Sequence, residues 1–101
     1  MQTQIPQLGL TEAQTLLAEQ AVTIIDIRKA EDFAIGHIDS AINATNDNYA
    51  DVIAQLPKDN AILVYCYHGI SSQQFVQYLQ SLGFNQVYSL AGGYTAWEGS
   101  E

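Results

Sequence analysis

Basic residues are scarce in this chain. Its 101 residues include three lysines and arginines against eleven acidic side chains, for a formal net charge of -8. We expect no nucleic-acid partner, because a nucleic-acid binder needs clustered cations to displace the counterions of the phosphates. An anionic membrane surface would repel the chain too. Long apolar runs are also missing, and none approaches the roughly 18 residues that a membrane-spanning helix needs. These absences predict a protein that binds neither nucleic acid nor a membrane.

Cysteine is scarcer still. Cys66 is the only one, so the chain cannot form an internal disulfide. With two histidines it cannot supply a usual tetrahedral zinc site without carboxylate help, and we expect no metal or organic cofactor. Residues 1–4 carry no basic group and precede no apolar core, so they do not resemble a signal peptide. The sequence predicts a cytoplasmic protein.

Apolar residues are plentiful, at 48%, and suit one domain over residues 1–101. Predicted strands alternate with predicted helices, which indicates an α/β fold with a mainly parallel sheet. The strands are expected at residues 22–25, 38–43, 62–65 and 86–88, and the helices at 11–19, 30–35, 47 or 48 to 56, 71–82 and 94–97. Thr11 is the expected N-cap of the first helix. The run at 62–65 is apolar on both faces, as a central parallel strand should be.

The segment after that run carries the most chemistry. It places Cys66 at the end of the strand, then a short loop with Gly69, then a helix start at Ser71. Unpaired N–H groups at a helix start carry about half a positive charge, and such surroundings lower a thiol pKa from about 8.5 to about 3.5–7.5. In open parallel sheets, ligands bind beyond the carboxyl ends of the strands. Cys66 is therefore a candidate nucleophile, although a lone cysteine can also be a small buried hydrophobe.

Four segments resemble, in order and spacing, the single-domain rhodaneses, a family of sulfurtransferases. They are Ile25-Asp26-Ile27-Arg28, the stretch at 33–41, the cysteine loop at 66–72 and the stretch at 87–97. Within the family, the cysteine loop and Thr45-Asn46-Asp47 are most similar to the small bacterial thiosulfate sulfurtransferases of the glycerol-3-phosphate regulon. The resemblance implies a five-stranded, mainly parallel sheet flanked by helices on both faces.

The resemblance also implies a reaction. The Cys66 thiolate would take the outer sulfur of a donor such as thiosulfate as a persulfide, and cyanide or a thiol would then remove that sulfur. Thioredoxin or another dithiol protein is a further acceptor that this chemistry allows. The backbone that would hold the donor and the persulfide belongs to Tyr67, His68, Gly69, Ile70, Ser71 and Ser72.

The cysteine loop departs from the family in its charge. Many rhodaneses carry arginine at the position of Ser71 and a basic residue at that of Tyr67, whereas this loop has neither lysine nor arginine. Attraction of an anion would rest on N–H groups, on the hydroxyls of Ser71 and Ser72 and, in one interpretation, on His68. We expect a thiolate that forms but binds thiosulfate weakly.

Three residues outside the loop need an interpretation. Asp26 and Arg28 lie near a strand end, where Arg28 either forms an internal ion pair or lends positive potential to the site, and we expect the ion pair. His37 matches a family position with a structural role at a turn. These assignments leave Asp26 and Arg28 as supporting residues of the site.

Two other functions compete with the sulfurtransferase. A dual-specificity phosphatase of similar fold requires an arginine where this chain has Ser72, and its loop is one residue longer. A non-enzymatic sulfur carrier or sensor, loaded by a protein persulfide donor, is consistent with the cation-free loop. The sequence leaves open the physiological donor, the acceptor and the oligomeric state.

Overall fold

The apolar run that ends at Cys66 is the central strand of a five-stranded sheet. A computed structural model describes residues 6–100. The strands are β1 (Gln7–Leu8), β2 (Val22–Asp26), β3 (Ile42–Asn43), β4 (Ala61–Tyr65) and β5 (Val87–Leu90), and the helices are α1 (Leu10–Glu19), α2 (Ala30–Ile35), α3 (Tyr49–Ala54), α4 (Ser71–Ser81) and α5 (Gly93–Gly99). The strand order is β1-β5-β4-β2-β3, and each neighbouring pair is parallel. The predicted α/β fold is confirmed.

Strand β4 is buried over its whole length because both of its faces are covered. Ile62 and Val64 point into a core shared with α3 and α4. Leu63 and Tyr65 point to the other face, into a core shared with α1 and α5. Helices on both faces of the sheet explain why the strand shows no polar alternation. They also fix the position of Cys66, which follows Tyr65 at the carboxyl edge of the sheet.

Several element boundaries differ from the sequence predictions. Thr11 is not the N-cap of α1: Gly9 is, and its N–H donates to Glu12 Oε1 at 2.9 Å. The strand expected at 38–43 is reduced to its last two residues. Before it the chain turns, since the Ala41 N–H bonds back to the Ile38 carbonyl and Ser40 has a φ of 71°.

Other boundaries were predicted well. Helix α2 covers residues 30–35 as expected, and α4 begins at Ser71. The spacing of apolar residues also predicts an apolar stripe on this helix, formed by Phe75, Val76, Tyr78, Leu79 and Leu82. The stripe is wrong at two positions, because Tyr78 and Leu82 are exposed. Strand β1 was not predicted. Residues 1–4, which do not resemble a signal peptide, lie outside the described part of the chain. Within residues 6–100, no helix is both long enough and apolar enough to span a bilayer.

Candidate active site

Cys66 lies at the carboxyl edge of the sheet. It is the first residue after β4, and its side chain is almost entirely buried. The chain then turns through residues 67–70 and enters α4, so that the start of this helix faces back toward the sulfur. The layout matches the one expected from the sequence, with the thiol between a strand end and a helix start.

Several hydrogen-bond donors converge on the Cys66 sulfur. The Gly69 N–H lies 3.2 Å from Sγ, and the Ser72 N–H lies 3.4 Å from it. The Ser72 hydroxyl is also 3.4 Å away, and it donates to the sulfur once the thiol is ionised. Burial raises the pKa of the Cys66 thiol, but the bonds from the Ser72 hydroxyl and from the N–H groups of Ser72, Gly69 and His68 outweigh it. The pKa of this thiol therefore lies below its ordinary value.

Ser89 extends this network and is not among the site residues predicted from the sequence. Its Oγ is 2.6 Å from the Ser72 Oγ, and both serines are fully buried. When the Ser72 hydroxyl donates to sulfur, its oxygen is free to accept, so Ser89 becomes the donor between the two hydroxyls. The available signal was a serine directly after the strand predicted at 86–88; in the structure it lies within β5 and is buried.

The Ser72 hydroxyl gives a direct test of this network. A hydrogen bond to a charged group is worth about 1.5–3 kcal/mol, and each pH unit corresponds to about 1.4 kcal/mol. Ser72→Ala is therefore expected to move the midpoint of Cys66 ionisation upward by about one to two pH units. The pH dependence of alkylation of the only thiol by iodoacetamide measures it.

The matched control for this substitution is Ser81→Ala, on the same helix. The Ser81 hydroxyl is exposed and bonds to the Tyr78 carbonyl at the far end of α4. This control should leave the alkylation midpoint unchanged. An unchanged midpoint in Ser72→Ala would show that the hydroxyl does not stabilise the thiolate.

Helix α5 fixes the backbone of the cysteine loop. The N–H groups of Tyr94 and Thr95 donate to the carbonyls of Cys66 and Tyr67, at 2.8 and 3.2 Å. This approach is possible because Gly93 has no side chain: a Cβ there would lie 2.6 Å from the Cys66 carbonyl oxygen. Gly93, the first residue of α5, therefore lets this helix hold the backbone of the cysteine loop in place.

The other loop side chains point away from the sulfur. The Tyr67 hydroxyl bonds to the Asp32 carboxylate and accepts from the Lys29 N–H at 3.3 Å. The exposed ring of His68 contacts the Thr95 hydroxyl through Nδ1 at 3.3 Å. Ile70 is 73% exposed. Only the backbone of this part of the loop turns toward Sγ, through the N–H groups of His68 and Gly69.

Asp26 and Arg28 form the internal ion pair expected from the sequence. The Arg28 Nη2 is 2.9 Å from Asp26 Oδ2, and both side chains are buried. The guanidinium also bonds to the Gly36 carbonyl and lies 4.1 Å from the centre of the Tyr94 ring. The pair thus connects strand β2 to the helix that holds the cysteine loop.

His37 occupies a structural position. Its ring stacks on Phe33 with centroids 3.8 Å apart, and its Nδ1 lies 2.8 Å from the Phe33 carbonyl oxygen. These local contacts hold the turn after α2 and agree with the structural role expected for this histidine.

A cavity of about 600 Å³ borders the cysteine loop at Ser71. It lies between the end of β2, the segment leading into α3 and the first turns of α4. Its lining is Ile27, Arg28, Lys29, Ala44, Thr45, Asn46, Tyr49, Ser71, Gln74, Phe75 and Tyr78. Thr45 and Asn46, noted in the sequence for their resemblance, are therefore part of the surroundings of the loop.

Comparison with known proteins gives consistent matches over nearly the whole chain. The family profile of the rhodanese-like domain matches residues 10–100. The thiosulfate sulfurtransferase GlpE of Shewanella oneidensis is 46% identical over 90 residues, 89% of each chain. GlpE of Tolumonas auensis is 37% identical over 94 residues, covering 93% of this chain and 89% of its own. The human single-domain sulfurtransferase TSTD1 has a similar structure, with a TM-score of 0.80, 25% identity, and coverage of 95% of this chain and 97% of that one.

Proposed function

This chain belongs to the rhodanese-like domain family, and from that premise we propose that it is a thiosulfate sulfurtransferase in which Cys66 carries the sulfur. The family resemblance predicted from the four sequence segments is correct. The observation that carries the assignment of the nucleophile is the set of donors on Sγ, from Gly69 and Ser72. They stabilise a thiolate, which is the reactive form of cysteine.

The first step loads the enzyme. The Cys66 thiolate attacks the outer sulfur of thiosulfate, a sulfur–sulfur bond forms to Sγ, and the bond to the sulfonate sulfur breaks. Sulfite leaves with the electron pair of that bond, and Cys66 keeps the outer sulfur as a persulfide. The N–H groups turned toward Sγ are placed to stabilise the negative charge on the sulfur atoms.

The second step empties the enzyme. Cyanide or a thiolate attacks the outer sulfur of the persulfide, and the electron pair of the breaking bond returns to Sγ as a thiolate. The products are thiocyanate or an organic persulfide. Sulfur changes carrier without any added oxidant or reductant. Splitting one transfer into two covalent steps is nucleophilic catalysis, and no metal or organic cofactor enters either step.

The physiological partners follow from the same chemistry. We place the enzyme in the cytoplasm, where thiols stay reduced, with a small sulfur donor and a thiol acceptor that is either a small molecule or a dithiol protein such as thioredoxin. The loop supplies no cation to the donor, so thiosulfate affinity depends on backbone N–H groups. Weak affinity for thiosulfate remains our expectation.

Steady-state kinetics test the two-step reaction. Thiocyanate formation is expected to give parallel double-reciprocal lines when thiosulfate is varied at several cyanide concentrations, because sulfite leaves before cyanide reacts. Intersecting lines would indicate that both substrates bind together, and would contradict the persulfide route. Absence of turnover, with slow loading from thiosulfate and rapid loading from a protein persulfide, would favour the sulfur carrier.

A further inference from the structure

Basic residues are concentrated around the cavity beside the cysteine loop. The chain has three basic and eleven acidic residues, yet two of the three basic residues, Arg28 and Lys29, line this cavity. No aspartate or glutamate is among the lining residues that the structure describes. Such a separation of charge makes the cavity suitable for an anion, in a protein whose overall field repels anions.

Lys29 is the cation that remains available there. The Arg28 guanidinium is occupied by Asp26 and the Gly36 carbonyl. The third cation, Lys58, lies elsewhere, with its ammonium 4.5 Å from the centre of the Phe84 ring. The Lys29 side chain is exposed, and within residues 6–100 its ammonium forms no ion pair. It can therefore pair with a ligand without breaking an internal contact.

The remaining lining suits an organic molecule. Phe75, Tyr49 and Tyr78 supply aromatic surface, and Asn46 and Gln74 supply amides. Cavities of about 300–1,000 Å³ hold organic ligands, and this one, at about 600 Å³, is far larger than a thiosulfate ion requires. A ligand that uses this space has an organic part as well as a charge.

We propose that this cavity binds the organic part of the sulfur acceptor, and that the acceptor is a small thiol bearing a carboxylate that pairs with Lys29. This inference rests on the sulfurtransferase function proposed above and names the class of acceptor. The cavity meets the cysteine loop at Ser71, next to the residue whose N–H faces Sγ. A thiol anchored there by its carboxylate reaches the persulfide from the side of α4.

The transfer itself is balanced. The thiolate of the acceptor attacks the outer sulfur of protonated Cys66 persulfide, a new sulfur–sulfur bond forms, and the bond to Sγ breaks. The electron pair of that bond leaves Cys66 as a thiolate, and the proton stays on the outer sulfur of the product. Lys29 takes no part in these bonds and acts only on where the acceptor sits.

The test isolates the second half-reaction. Enzyme is loaded with thiosulfate, freed of it by desalting, and discharged in single turnovers by 3-mercaptopropionate, 2-mercaptoethanol or cysteamine. Rate constants are expressed per thiolate and relative to the rate of the same thiolate with a free small-molecule disulfide, because the nucleophilicity of a thiolate rises with the pKa of its thiol. The wild type is expected to favour the carboxylate thiol over the neutral and cationic ones. In Lys29→Glu, discharge of the persulfide by 3-mercaptopropionate is expected to be roughly 3- to 10-fold slower than in the wild type, because a surface ion pair is lost and a repulsion is added. Discharge by cysteamine is expected to become the favoured reaction.

A matched variant and a second acceptor make the outcome decisive. Lys58→Glu changes net charge equally but lies outside the cavity lining, so the order of the three thiols should stay as in the wild type. The same order in Lys29→Glu, or equal effects of both substitutions, would overturn the proposed acceptor site. Discharge of the wild type by cyanide distinguishes failure of the sulfurtransferase function from failure of the acceptor site alone. If cyanide releases no thiocyanate, the sulfurtransferase function itself fails, and the acceptor site with it.

Discussion

Cys66→Ser is expected to reduce thiocyanate formation from thiosulfate and cyanide to the uncatalysed rate. A serine hydroxyl is not ionised near neutral pH and cannot form the sulfur–sulfur bond of a persulfide. Folding should change little, because the substitution is nearly isosteric and the donors of Gly69 and Ser72 can bond to oxygen. We expect the free energy of unfolding in urea to stay within about 1.5 kcal/mol of the wild type. Sulfur transfer retained in the folded variant would refute the assignment of the nucleophile.

Gly93→Ala is expected to destabilise the protein strongly and to remove most of its activity. Gly93 has a φ of +59°, and a Cβ would lie 2.6 Å from the backbone of both Cys66 and Tyr67. Forcing a side chain into a packed site costs about 1–3 kcal/mol, and the left-handed conformation adds about 1–2 kcal/mol. The expected loss in the free energy of unfolding is therefore roughly 2–5 kcal/mol. Urea denaturation measures it, and thiocyanate formation in the remaining folded protein reports the displacement of the loop.

Substitutions at two other glycines separate the two causes of the destabilisation expected in Gly93→Ala, which are the left-handed backbone conformation and the close packing of a Cβ. Gly83 has a φ of +98°, but a Cβ at this position would have no neighbouring atom within 4 Å, so Gly83→Ala measures conformational strain alone. Gly99 has open space and no positive φ, so Gly99→Ala measures neither effect. If Gly93→Ala were no worse than Gly83→Ala, and equally active, close packing of α5 against the cysteine loop would not be what holds the loop in place.

The sequence is sufficient for the part of the site that follows from local order. Cys66 is predictable because the strand before it is apolar on both faces and because a glycine-containing loop and a helix follow at once. Because the loop between the strand and the helix is short, the start of the helix lies close to the thiol. The Asp26–Arg28 pair is equally local, since the two residues are separated by one position.

Contacts between distant segments are what the sequence could not supply. Ser89 reaches the thiol only through Ser72, which is 17 positions away, and the two meet because β5 lies next to β4. The cavity near Lys29 depends likewise on three separate segments packing together. The N-cap of α1 was misplaced for a different reason: a glycine has no side chain to signal a cap, and here the partner is Glu12.

The central claim, that Cys66 takes the outer sulfur of thiosulfate as a persulfide, is tested most directly by intact mass. The protein is weighed before and after incubation with thiosulfate, and again after cyanide. We expect a gain of one sulfur atom on the wild type, its loss with release of thiocyanate, and no gain on Cys66→Ser. A thiol that gains no sulfur yet remains open to alkylation would contradict the claim and favour a carrier loaded by a protein donor.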